Sequence, residues 1–139
     1  MRQMQHEITV GTDGPGRYEI NRDTLKWTAP QGVNTGLLTL FCRHTSASLT
    51  FEENADPDVQ RNLQTFFERL VKEDPSLYRH TAEGPDDMPA RIRSALTQVQ
   101  LSAPIASGRP QLGTWQGIYL FENRRRPHRR QVLLHLQGE

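Results

Sequence analysis

The sequence predicts an α+β fold built on a largely antiparallel sheet, and three observations carry that prediction. Segments towards both ends alternate polar and apolar side chains, the middle of the chain changes to a spacing of three and four, and no repeat, linker or low-complexity tract divides the 139 residues. A single domain over residues 1–139 with one core is expected. A chain of this length buries roughly two-thirds of the surface that its unfolded form exposes.

Taken in order, "QHEITV" and "RYEI" alternate and flank the turn-rich "GTDGPG", so they read as two short strands that could pair as a hairpin. "NRDTLKWTAP" predicts a short helix capped by Asn21 or Asp23 and ended at Pro30 and Gly32. "GLLTLFCRHTSASLTFEEN" opens on a continuous apolar run and then alternates, which predicts two strands with a bend near His44. From Asp56 the period becomes helical: Asp56 can cap, Pro57 suits the first turn, and Val59, Leu63, Phe66, Phe67, Leu70 and Val71 form one stripe that should lie on a sheet. "DMPARIRSAL" predicts a second helix, capped by Asp86 or Asp87, with Met88, Ile92 and Leu96 on one face. "QVQLSAPI", "GTWQGIYLFEN" and "RRQVLLHLQ" read as strands, the last two joined as a hairpin through the Arg-rich "NRRRPHRR".

Charge narrows the partners. Lys and Arg number 17 against 16 Asp and Glu, a net charge of +1, so no global field favours nucleic acid or an anionic membrane. No run approaches the ~18 apolar residues of a membrane-spanning helix. The single Cys42 cannot form an internal disulfide, and the N-terminal stretch lacks a signal-peptide core. A reducing cytoplasm is the expected location.

Groups able to do chemistry gather in "RHTSASLTFEENADPD" and "RHTAEGPDDMPAR", each a His followed by hydroxyls and then carboxylates. His44 and His80 could serve as acid, base or metal ligand, or could be strand-end and loop histidines held by backbone groups. No HxH, HExxH or CxxC spacing supports a metal directly. Asp56 and Asp58 suit a helix N-terminus, whereas Glu53 and Asn54 precede it and are free to reach a site. In "LGTWQGIYLFE", Gly113 and Gly117 bracket Trp115 and Gln116, so Trp115 is either core or pocket wall. Cys42 and His44 would share a strand face, but a Cys that ends "GLLTLFC" is more simply a small buried apolar residue. The arginines of residues 124–130 suit a solvated turn or a phosphate.

The motifs "HTSASLTFEENADPDV", "YRH…EGPDDMPA" and "LGTWQGIYLFE", with the terminal "LQGE", resemble the YjbQ-like family from about residue 36 onward. The resemblance implies a compact α+β domain with a β-sandwich-like core, assembled as a homotrimer. It also implies a weak thiamine-phosphate synthase activity, a transferase reaction joining hydroxymethylpyrimidine diphosphate to thiazole phosphate with loss of pyrophosphate. Relatives carry a His where this chain has Arg91 in "MPARIR", and a permanently protonated Arg cannot ligate metal.

The resulting expectation is a polar pocket from residues 44–56, 80–91 and 114–117 that binds a small phosphorylated or otherwise anionic metabolite. His44, His80, Glu53 and Asp87 are its candidate catalytic groups. Thr45, Ser46, Asn54, Glu83, Arg91, Trp115 and Gln116 are candidate substrate contacts. His44 and His80 are candidate metal ligands weakened by Arg91, and Mg²⁺ or another divalent ion on Glu53 or Asp87 is the candidate cofactor. Metal-dependent hydrolysis and a non-catalytic trimeric binding protein are the rival readings.

Overall fold

A computed structural model describes residues 1–139. Its elements are β1 (Arg2–Asp13), β2 (Gly16–Glu19), α1 (Asn21–Thr28) running into a 3₁₀ turn (Ala29–Gln31), β3 (Gly36–Cys42), β4 (Ala47–Glu53) and α2 (Pro57–Leu70). After a 3₁₀ turn (Pro75–Leu77) come α3 (Asp87–Leu96), β5 (Gln100–Ala106), β6 (Arg109–Pro110), β7 (Gln116–Glu122) and β8 (Pro127–Gly138). Two antiparallel sheets result, a five-stranded one in the order β1-β8-β3-β5-β6 and a three-stranded one in the order β2-β7-β4.

The sheets enclose one apolar core. Leu38, Leu40, Leu49, Ile118, Leu120, Val132, Leu134 and Leu136 are completely buried in it, each contributing about 1.5–3 kcal/mol on removal from water. β8 is paired on both sides, to β1 and β3, which makes it the spine of the larger sheet. At the far end of that spine the chain packs too closely for a side chain: a Cβ on Gly36 would lie 2.1 Å from the Gln137 carbonyl oxygen, and one on Gly138 2.2 Å from that of Thr35. This approach accounts for the glycine of "LQGE".

Strand partnership differs from the sequence expectation. β1 and β2 form no hairpin with each other, and neither do β7 and β8: in each pair one strand joins the large sheet and the other the small. β3 and β4 divide in the same way, with the bend at His44 falling between them. Three chain crossings therefore meet at one corner of the sandwich, around residues 14–15, 43–46 and 123–126. Cross-links at that corner include Thr12 Oγ1 donating to Glu122 Oε1 at 2.7 Å and Arg130 Nη2 donating to Ser46 Oγ at 3.0 Å.

The helices lie against the small sheet, and α1 also touches β1. Asp56 caps α2 as expected, its Oδ1 accepting from Asp58 N at 2.9 Å. The apolar stripe of α2 is only partly buried, however: Val71 is buried and Phe67 packs on Phe121 of the small sheet with ring centroids 5.2 Å apart. Phe66 and Leu70 are 57% and 56% exposed, and beneath the helix Arg17 donates to Glu52 Oε1 at 2.8 Å while stacking over Phe121 at 4.2 Å. Asn21 does not cap α1; its Oδ1 accepts from Ile118 N at 2.6 Å. Neither Asp86 nor Asp87 caps α3 through its side chain. That helix buries Asp87, Pro89, Ala90, Arg93 and Ser94, and leaves Leu96 57% exposed.

Candidate functional site

The corner where the chain crosses between sheets also receives the N-terminus of α3 and the loop before it. Asp87 is fully buried there and accepts three hydrogen bonds from potential cations. His80 Nε2 donates to Oδ2 at 3.0 Å, Arg91 Nε to the same oxygen at 2.8 Å, and Arg124 Nη1 to Oδ1 at 2.8 Å. Asp86 takes the other edge of Arg124, accepting from Nε at 3.0 Å and from Arg125 N at 2.9 Å. Arg124 is thus held by both carboxylates, the bidentate use that a planar guanidinium favours.

Burial pushes the Asp87 carboxyl up, but Arg91, Arg124 and His80 together hold it below the usual carboxylate range. Asp86 is likewise held down against its burial by Arg125 N and Arg124. Both are anions at neutral pH. Asp87 therefore fixes the orientation of the His80 ring, whose side chain is 48% exposed, and leaves Nδ1 without a partner. Arg91 extends the network, donating through Nη1 to Thr45 Oγ1 at 3.1 Å and through Nη2 to Glu83 Oε2 at 3.2 Å.

Beside this network opens a cleft of about 510 Å³ lined by Ala82, Glu83, Gly84, Arg124, Arg126 and His128. That volume suits a small metabolite. Arg124 is committed to Asp86 and Asp87, and Arg125 to Glu73, which leaves Arg126 as the lining arginine without an ion pair. His128 Nδ1 donates to Arg126 O at 2.7 Å, so its Nε2 is available.

The expected site residues divide into three groups. His80, Glu83, Asp87, Arg91 and Thr45 meet as described. His44 and Ser46 belong to a neighbouring network: His44 Nε2 accepts from Gln131 N at 2.9 Å, and Ser46 binds Arg130. Arg130 also pairs with the fully buried Glu122 through Nε at 2.7 Å and Nη2 at 2.5 Å. Burial and the positive charge of Arg130 push His44 down, so its ring is neutral. The third group, Glu53, Asn54, Trp115 and Gln116, sits at the opposite end of β4, roughly 20 Å away at ~3.3 Å per residue. Glu53 Oε2 there accepts from Asp56 N at 3.2 Å, Gln116 Oε1 from Gly113 N at 3.1 Å, and Trp115 is 61% exposed in a loop. One chain does not unite the three expected pocket segments, because β4 separates their ends.

The metal expectation needs correction on the same grounds. His44 and His80 form no ligand set. His80, Glu83 and Asp87 do bring ligand atoms within 4.8 Å of one another, but Arg91 already occupies Asp87 Oδ2 and Glu83 Oε2. A divalent cation does not fit while that guanidinium holds them. Sequence reasoning gave one of Asp86 and Asp87 to the helix cap and the other to a site, whereas both serve Arg124, and it gave no individual role to Arg124, Arg126 and His128. Their signal was the density of cations between two strong strands.

Residues 6–139 match the family described as UPF0047 protein YjbQ-like. UPF0047 protein sll1880 of Synechocystis is 51% identical over 138 residues, 99% of this chain and 94% of that protein. UPF0047 protein YjbQ of Escherichia coli O157:H7 is 41% identical over 136 residues, 97% and 98% of the two chains. A solved structure of a YjbQ/UPF0047-family protein from Clostridium acetobutylicum superposes with a TM-score of 0.86 at 30% identity, over 95% of this chain and 99% of that one. A conserved hypothetical protein from Thermus thermophilus gives 0.83 at 32% identity, over 93% and 97%. With sequence match, fold and coverage in agreement over almost its whole length, the chain belongs to the YjbQ-like UPF0047 family.

Proposed function

We propose that the cleft beside His80 binds a small phosphorylated metabolite and that the chain acts on it as a transferase of the thiamine-phosphate synthase type. The observation that carries this reading is Asp87: a buried carboxylate that holds one imidazole and two guanidinium groups at the edge of a cleft. Arg126 and His128 are the groups best placed to meet phosphate oxygens. A leaving pyrophosphate gains negative charge, and fixed cations aimed at it lower the barrier without reorganising. His80 carries protons through its free Nδ1, while Asp87 keeps the ring in one orientation.

Assembly as a homotrimer belongs to the same proposal. The outer face of the five-stranded sheet supports it: Leu37, Phe41 and Leu133 project there, Phe41 is 44% exposed, and the helices lie elsewhere. A cytoplasmic setting agrees with a free, buried Cys42.

Purified protein incubated with hydroxymethylpyrimidine diphosphate and thiazole phosphate should form thiamine phosphate. His80→Ala should lower turnover by about 10²-fold or more, and Arg126→Ala should mainly raise KM. Product formation indifferent to His80 sinks the reading.

A further inference from the structure

We propose that the cavity around Arg93 is a second oxyanion site, separate from the His80 cleft, which takes a phosphate group of a small ligand. Residues two apart on a helix point roughly 200° apart, so Arg91 and Arg93 leave α3 on opposite sides. Arg91 reaches the cleft network. Arg93 turns towards α2 and is only 4% exposed.

Its side chain makes one hydrogen bond, from Nη2 to Val71 O at 2.6 Å, and enters no ion pair; the buried Nε has no partner. Docking on the last turn of α2 explains that single bond and nothing more. Burial pushes the guanidinium down, opposed by the charges of Glu73 and Glu68, yet an arginine remains a cation at any ordinary pH. A buried cation without a contacting counter-ion is costly.

Alongside it lies a cavity of about 430 Å³ lined by Pro15, Glu68, Lys72, Glu73, Arg93 and Arg125. Its two acids are already engaged, Glu73 by Arg125 and Glu68 Oε1 by Gln64 Nε2 at 3.1 Å. Lys72 and Arg93 therefore remain as the cations without partners of their own. A guanidinium and an ammonium among the lining of one polar cavity suit a phosphate group, which offers several acceptor oxygens at once.

The test is a titration of inorganic phosphate into the full-length, ¹⁵N-labelled protein. Saturable shifts are expected at the amides of residues 68–73 and at Arg93. Lys72→Met, an exposed change that spares the fold, should weaken the binding by about tenfold, the worth of one charge-assisted hydrogen bond. Arg93→Met should abolish it, and Arg126→Ala in the cleft should leave it unchanged. An unperturbed 68–73 segment overturns the proposal, as does Lys72→Met binding phosphate like the wild type. If Arg93→Met unfolds, Lys72→Met decides. Shifts confined to Glu83, Gly84 and His128 sink this site and leave the cleft standing; shifts confined to the Arg93 cavity do the reverse.

Discussion

Arg91 decides the chemistry open to the cluster around Asp87. It supplies a permanent cation that bridges Asp87 and Glu83 and ties them to Thr45. Arg91→His removes the guanidinium from Asp87 Oδ2 and Glu83 Oε2 and adds an imidazole to a trio whose ligand atoms already lie within 4.8 Å of one another. The variant should bind Zn²⁺ in the micromolar range or tighter by calorimetry, where the wild type binds none; equal affinities would refute a blocking role for Arg91. His80 and Asp87 were legible as chemistry from their residue types. Their pairing with Arg124 was not, because its 37-residue separation from Asp87 leaves no local pattern.

At the level of elements, the two faces of the small sheet differ in kind. Its inner face shares the apolar core, whereas its outer face meets α2 through the hydrogen bonds of Arg17, Glu52 and Tyr119 as well as the Phe67–Phe121 contact. Burial and the adjacent Glu19 push the Tyr119 phenol up to about 12, so it stays a hydrogen-bond donor. Buried side-chain atoms without partners belong to residues of this second layer or its margin: Arg17, Thr50, Glu52, Arg93, Ser94 and Asn123. Unmade hydrogen bonds cost about 1–3 kcal/mol each, so this layer is the weaker one. Hydrogen exchange should find the α2 amides opening well before those of Leu134 and Leu136 in β8; equal protection would contradict the two-layer account. Gly36→Ala acts on the stronger layer, where the new methyl would collide with backbone at Gln137. It should cost about 2–3 kcal/mol, read as a lowered midpoint in denaturant. The helical period of α2 announced an amphipathic helix correctly, yet the same pattern could not say that the Arg17–Glu52 pair would share its underside with the Phe67–Phe121 contact.

For the whole molecule, stability should fall with acid in two steps. Asp86, Asp87 and Glu122 are held down by their arginine partners despite burial. Their contribution is present above the unfolded carboxylate range, about 4, and disappears as pH falls through their lower folded values. His44 acts earlier. Its folded pKa lies below the ordinary value, so the unfolded chain takes up its proton first and stability begins to decline below about 6.5. His44→Gln, whose amide oxygen can still accept from Gln131 N, should abolish the shallow first step and keep the steep second one. Denaturant midpoints measured from pH 7 to 3 test this, and an unchanged first step in the variant would rule His44 out. The sequence by itself determined the α+β class, the helical period from Asp56 and its cap, and the strand-forming runs, because periodicity and capping act within a few residues. Only the tertiary structure decided which sheet each strand joins, that Asp86 and Asp87 serve Arg124 instead of capping α3, and that His44 and Glu53 stand apart from His80. Those outcomes depend on pairing between distant segments, where burial and charge compete across the folded chain and leave no local periodicity.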